Sequence, residues 1–386
     1  MNKILKIIIL IFSVFFSINS NLSLAEEKLK IGILVPMTGN NKELGQSIIK
    51  ATKMALKDID TNKLEIYPKD TGSNPNQTLD AANEFDQMGI SIVIGPIFYK
   101  NIIHLYKVKN ITFLSLTNKP INSPDNLIST GVNATSQLNT IKKFLKSNEI
   151  KKTIFLTPEL DYEIEVKKAI KKSKIKIQNH YIYDTEPTKL TKQIEKITNY
   201  KIRKQNVIDE IKRIENSDLS DSNKEKRIEK LKKRYTIGNV NFDSVIISDF
   251  SESLKSVITS LLYTDVLPKK KFIITFNQWF DKSLLDEKTL QPIYYPSINK
   301  KNLENFEEKY YKEFKKKPTH LGLLSYDLVG LIYYLSLKHS IFETDKLFKK
   351  KTSFKGKIGI FDIKDNKINH RLNFYKIEES KIKEIF

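Results

Sequence analysis

The chain has no cysteine in 386 residues, a single tryptophan, and five arginines against 61 lysines. Without cysteine there can be no disulfide, no thiolate metal ligand and no cysteine nucleophile. A lipid anchored through an N-terminal cysteine is not expected either. The five histidines (His104, His180, His320, His339, His370) are scattered without ligand spacing. No HExxH, GxSxG, P-loop or calcium-loop pattern occurs. These absences argue against metal and nucleophile-triad chemistry, so no enzyme activity, no catalytic residue, no metal and no cofactor is expected. The few arginines also leave no cluster of the kind that clamps phosphates or bases. Nucleic acid is therefore not an expected partner.

What remains is abundant positive charge, +21 overall. It fits attraction to an anionic surface, but the Lys-, Asn- and Ile-rich usage of an AT-rich genome, with the lysines spread along the chain, is the favoured reading. Two of the charges, Lys3 and Lys6, open an N-terminal segment with an apolar run over 7–16 and the small-residue site Ser23-Leu24-Ala25. This reads as an export signal cleaved after Ala25. Its apolar run is short for a membrane span, and no other run of about 18 apolar residues follows. The mature chain is expected to be exported to the periplasm, soluble and without a transmembrane segment.

From residue 29 onward, apolar strand-like runs alternate with amphipathic helix-like runs. Strands are expected at 29–36, 64–67, 91–94 and 111–116, with helices over 46–58, 75–88 and 101–107. The pattern restarts with a helix at 136–146, strands at 152–157 and 175–183, and a helix at 162–172. Strands follow at 245–249 and 271–276, with a helix at 253–262 between them. This is an α/β protein with parallel sheets. Such sheets bind ligands beyond the carboxyl ends of their strands, here the turns after Val35, Ile94 and Leu114. Those turns carry hydroxyls, amides and aromatics but no catalytic set. Asp70-Thr71-Gly72 looks like half of an aspartic-protease site, but that chemistry needs two carboxylates sharing a proton. The tripeptide occurs once, and after a strand it reads as a turn in which Asp70 bonds local backbone.

Residues 189–235 interrupt the second half with a highly charged insert, expected to form a two-helix antiparallel hairpin. It is read either as a solvated ornament or as an arm that docks a partner. Helices are expected at 303–315 and, strongly apolar, at 325–337. The last 35 residues alternate apolar and polar about Asp365-Asn366-Lys367 and Glu379-Ser380, as a β-meander or hairpin pair.

The order IGILVPMTG…LG…A, KDTG, IVIGP, STGVN, SYD and FKGKIGIFDIKDNKI resembles type I periplasmic binding proteins of the leucine/isoleucine/valine-binding family, across essentially the whole mature chain. LEIYPKDTG, the charged insert before TIGNVNFDSVIIS, and KPTHLGLLSYD look closer to the penicillin-binding protein activators. The resemblance implies two Rossmann-like lobes, 28–131 plus 297–350 and 132–296 plus 351–386. Crossings are expected near 130–133, 294–297 and 352–356. In transport members the ligand carboxylate meets groups after the third and fourth strands, which correspond to Tyr99, Ser115 and Thr117. The stacking aromatic is replaced by Leu44, a tyrosine of the second lobe matches Tyr162, and the acid that pairs with an α-ammonium falls near Gln278. Thr38, Asp249 and Phe250 complete the cleft candidates. The function implied is regulation of a peptidoglycan synthase, a penicillin-binding protein, by protein contact. The alternative is delivery of an amino acid or other small polar solute to an ABC permease.

Overall fold

The computed structural model describes residues 28–122, 124–276, 280–338 and 347–386. The export segment 1–25 and Gln278 lie outside them.

The first sheet contains β1 (Leu29–Val35), β2 (Leu64–Asp70), β3 (Ile92–Ile94), β4 (Thr112–Ser115) and β5 (Leu127–Ser129). Its order is β2-β1-β3-β4-β5, with every pair parallel. Both faces are covered, as a parallel sheet requires. Ile31, Ile33 and Val35 pack with Ile48, Ala51 and Ala55 of α1 (Lys42–Ile59), while Leu34 packs with Ala82 and Phe85 of α2 (Pro75–Gln87). The split follows the two-residue period of a strand. Asn74 caps α2 by accepting from the N–H of Asn76 (2.8 Å) and Gln77 (3.2 Å). Helix α1 starts four residues before the expected position. The expected helix at 101–107 is instead two 3-10 turns, Tyr99–Ile102 and Leu105–Lys107.

The second sheet has the order β15-β14-β10-β9-β8-β6-β7. It comprises β6 (Thr153–Pro158), β7 (Asn179–Tyr183), β8 (Ser244–Ile247), β9 (Phe272–Thr275), β10 (Ile293–Ser297), β14 (Asn373–Glu378) and β15 (Lys381–Glu384). The segment from β7 to β10 is parallel, and β14 and β15 add antiparallel edges. Helices α3 (Ala134–Ser147) and α4 (Glu163–Ser173) cover one face through Ile141, Phe144 and Val166. Helices α5 (Pro187–Ile197) and α8 (Ser251–Tyr263) cover the other through Leu190, Ile194, Val257 and Leu261.

The charged insert is therefore three helices rather than two. Helix α5 belongs to the sheet's cover, because Leu190 and Ile194 are fully buried beneath it. Asn199, at φ 51, turns the chain into α6 (Tyr200–Glu215). The hairpin proper is α6 and α7 (Asp221–Lys232). Its root is Arg203, whose guanidinium donates to the carbonyls of Gly238 (3.3 Å), Thr198 (3.3 Å) and Thr264 (3.0 Å) and to Thr236 Oγ1 (2.8 Å). A buried charge satisfied in this way fixes the base of the hairpin.

After β10 the chain forms α9 (Lys300–Phe314) and α10 (His320–Lys338), which pack on α1 beside the first sheet. The second expected crossing, 294–297, is thus strand β10, and the chain leaves the sheet after Ser297. Helix α10, the strongly apolar helix expected at 325–337, begins five residues earlier and is long and apolar enough to cross a membrane by length and composition. In this fold 56% of that stretch is buried, and it serves as a core helix.

The expected C-terminal meander divides between sheets. Strands β11 (Thr352–Lys355), β12 (Ile360–Lys364) and β13 (Lys367–Arg371) form a separate antiparallel sheet, whereas β14 and β15 extend the second. Phe374 and Tyr375 explain the division. They bury opposite faces of β14, one ring stacked on Phe144 at 4.4 Å and the other on Tyr295 at 6.0 Å. The turns at Asp365-Asn366 and Glu379-Ser380 have positive φ throughout, as tight hairpins demand.

The small third sheet holds the connecting segments together. Asp327 of α10 accepts from the N–H of Lys357 (2.9 Å) and Ile358 (2.8 Å). A Cβ on Gly356 would lie 2.4 Å from this carboxylate. Ile358 accepts from Asn299 N–H at 3.0 Å. His370 Nε2 bonds the Thr130 carbonyl at 2.8 Å, and its backbone N–H donates to Ser136 Oγ at 2.9 Å.

Burial pushes the Asp327 carboxyl up to about 6 and the His370 imidazole down to about 4. Asp327→Ala strands two buried N–H groups and should cost about 2–4 kcal/mol, read by urea unfolding. For His370 the unfolded chain takes a proton near pH 6.5 that the folded one refuses until about pH 4. Its contribution is intact above pH 6.5 and declines as pH falls toward 4, by at most about 3 kcal/mol. His370→Gln should therefore flatten the drop in thermal midpoint between pH 7 and 5.

Candidate functional site

A cavity of about 460 Å³ opens at the carboxyl ends of the parallel strands of both sheets. The loop after β4 supplies Asn118, Lys119 and Asn122, and the turn after β3 supplies Tyr99. Facing them are the start of α3, Asp161 and Tyr162 at the start of α4, Glu165, Lys168 and Lys172 along it, and Ser248, Phe250 and Phe276 after β8 and β9. Four aromatic rings and five charged side chains thus line the cavity.

The two sides are tied across the opening. Lys119 Nζ lies 2.9 Å from Glu165 Oε1 and 4.6 Å from the Tyr99 ring centroid. The bond to Glu165 holds the Lys119 ammonium above the usual lysine range. Burial would push the Glu165 carboxyl up, but the hydrogen bond and charge of Lys119 outweigh it and hold the group low. The other oxygen, Glu165 Oε2, is buried without a hydrogen-bond partner. Tyr162 donates to the Ser248 carbonyl at 3.1 Å and meets the Phe250 ring edge-on at 6.2 Å. Burial raises its hydroxyl pKa, and the Asp249 charge adds to this, so the phenol stays protonated.

Of the sequence candidates, Tyr99, Tyr162 and Phe250 line this cavity. The other described candidates do not, and most spend their polar atoms internally. Ser115 is fully buried and donates to the Pro96 carbonyl at 2.8 Å. Thr117 Oγ1 accepts from Lys119 N–H at 3.1 Å. Thr38 donates to Asp70 Oδ2 at 2.5 Å, and Asp70 Oδ1 accepts from the N–H of Met37 and Gly72, a turn rather than a catalytic dyad. Leu44 packs against the core. Asp249 is buried, accepting from Tyr183, Ser253 and the N–H of Phe250. Sequence reasoning passed over Lys119 and Glu165. The available signals were weak: Lys119-Pro120 two residues after Thr117, and Glu165 three residues after Tyr162, on the same helix face.

Residues 28–200 match the model of a family described as periplasmic binding protein. The C-domain of LpoA from Haemophilus influenzae, a regulator of PBP1A, superposes with a TM-score of 0.63 at 14% identity, covering 92% of this chain and 100% of that one. This is a type I periplasmic-binding-protein fold. A branched-chain amino acid ABC transporter periplasmic ligand-binding protein from Burkholderia xenovorans LB400 shares it, with a TM-score of 0.62 at 10% identity over 93% and 95% of the two chains. Against full-length LpoA from H. influenzae, at 14% identity and a TM-score of 0.61, 93% of this chain spans 59% of the larger protein. No curated protein matches the sequence. The fold is thus common to a regulator and to solute-binding proteins, and identities of this size speak to fold alone.

Within this binding-protein fold, buried and wall-lining polar residues should separate on substitution. Ser115→Ala should cost about 1 kcal/mol of stability. Glu165→Gln, breaking a partly exposed pair, should shift the urea midpoint by less than that.

Proposed function

We propose that the protein is a non-enzymatic envelope regulator that acts by protein contact on a peptidoglycan synthase, in the manner of the penicillin-binding protein activators. Export through the N-terminal segment, cleaved after Ala25, would place it in the periplasm. The observation that carries this reading is how the cleft uses its polar groups. An amino acid needs a desolvated counter-charge for its ammonium and free hydroxyls or N–H groups for its carboxylate, because buried unpaired charges are costly. Here Asp249 accepts three bonds within the protein, Ser115 donates to the Pro96 carbonyl, Thr117 Oγ1 accepts from Lys119 N–H, and one oxygen of Glu165 is paired with Lys119. Among the described residues, the remaining carboxylate on the cavity wall, Asp161, is exposed to solvent.

We further propose that the chain divides into lobes 28–131 plus 297–350 and 132–296 plus 351–386, with the third sheet at their junction. The pair Lys119–Glu165 would then bridge the lobes.

One observation favours the alternative, solute delivery to an ABC permease. The cavity has the size of a small-molecule site, and Tyr99, Tyr162, Phe250 and Phe276 give it apolar walls. A thermal-shift screen against amino acids, small peptides and muropeptide fragments separates the two. A ligand at 100 times its dissociation constant adds about 2.7 kcal/mol. The regulator reading expects no shift with amino acids, together with retention of the protein on an immobilised periplasmic peptidoglycan synthase. A clear shift with an amino acid that Tyr162→Ala abolishes would overturn it.

A further inference from the structure

The α6–α7 hairpin stands apart from the cavity and carries a distinct surface. From Lys224 to Arg234 there are seven basic and two acidic side chains. Along α7 the half-buried positions are Lys224, Ile228 and Leu231, spaced four and three residues apart, and none is fully buried. This seam faces inward, and Lys224 Nζ reaches the Glu215 carbonyl at the end of α6 (3.0 Å). The helical period of about 3.6 residues then places Lys226 and Lys230 on the opposite, outward side, with Arg227 on the flank of the seam. All three are exposed. Lys233 is paired with Glu229 at 2.9 Å, but among the described residues Lys226, Arg227, Lys230, Lys232 and Arg234 have no carboxylate within ion-pair distance. Tyr235, which closes the basic run, is 78% exposed. The hairpin's root is fixed by the buried Arg203 guanidinium, so the stripe is presented from a defined position.

We propose that this outward stripe docks the protein on an anionic phospholipid surface. The chemistry favours lipid over a folded acidic partner. The stripe is exposed along one helix and dominated by long, flexible basic side chains that have no carboxylate partner among the described residues. Point charges of this kind suit a fluid layer of headgroups, where each basic side chain adds attraction. An exposed tyrosine beside them suits the interface, with its ring at headgroup depth and its hydroxyl in water. The proposal is independent of the regulator reading. It supplies a means of attachment that a chain without cysteine cannot obtain from a thioether lipid.

The test is flotation of the full chain with vesicles of phosphatidylcholine alone or with added phosphatidylglycerol. The wild type should float with the anionic vesicles only, and less so as salt rises. K226Q/R227Q/K230Q should lose affinity on the order of a hundredfold while keeping the wild-type unfolding midpoint. K301Q/K316Q/K317Q removes the same charge from exposed sites on and after α9 and should bind as the wild type does. The proposal is overturned if the wild type does not float, if it floats equally with neutral vesicles, or if both triple variants lose affinity alike. Binding undiminished in the hairpin variant overturns it as well.

Discussion

The arrangement of the whole molecule depends on a knot of buried polar bonds at the third sheet. The chain leaves the first sheet after Ser129 and the second after Ser297, and enters the third at Thr352, and the buried backbone on these segments must be satisfied. Asp327 serves Lys357 and Ile358, Ile358 serves Asn299, and His370 serves Thr130. Removing any member leaves a buried donor or acceptor behind, which costs more than the bond itself contributes. The two ionisable members are perturbed in opposite directions because burial disfavours the charged form of each: Asp327 holds its proton longer, and His370 gives its proton up sooner.

The cavity joins elements of the two large sheets. The loop after β4 and the start of α4 come from different sheets, and Lys119 and Glu165 meet across the opening between them. Polar groups that could have faced a solute are turned into local structure instead. Asp249 orders the turn after β8, Ser115 the turn after β3, and Asp70 the turn after β1. The cavity keeps aromatic walls and a charged mouth, a combination compatible with a fold used for both solute capture and regulation. The basic hairpin lies outside this economy of satisfied bonds. Its exposed Lys226 and Lys230 make no ion pair with a described carboxylate.

Much of the architecture was legible in the sequence. Hydrophobic period separated strands from helices, Asn74 announced a cap, and Asp365-Asn366 and Glu379-Ser380 announced hairpins, because these signals depend on neighbours within a few residues. Where the reading failed, long-range packing decided. Residues 101–107 became 3-10 turns, helix α5 was claimed by the sheet through Leu190 and Ile194, and β14 was claimed by the second sheet through Phe374 and Tyr375. The strongly apolar helix expected at 325–337 is present as α10, starting five residues earlier and buried against α1.

The candidate site divides along the same line. Tyr99, Tyr162 and Phe250 were found because strand ends and helix starts mark the ligand-facing edge of any parallel sheet. Ser115, Thr117 and Asp249 have the right chemistry at the same edge, but side-chain direction and tertiary partners turn them inward. The sequence by itself determined the α/β class, the strand ends and the absence of thiol chemistry, since each follows from composition and local periodicity. Only the tertiary structure decided which polar groups remain available and that Lys119 meets Glu165, because those pairings join residues from different sheets and a hydrogen bond is lost beyond a few tenths of an ångström.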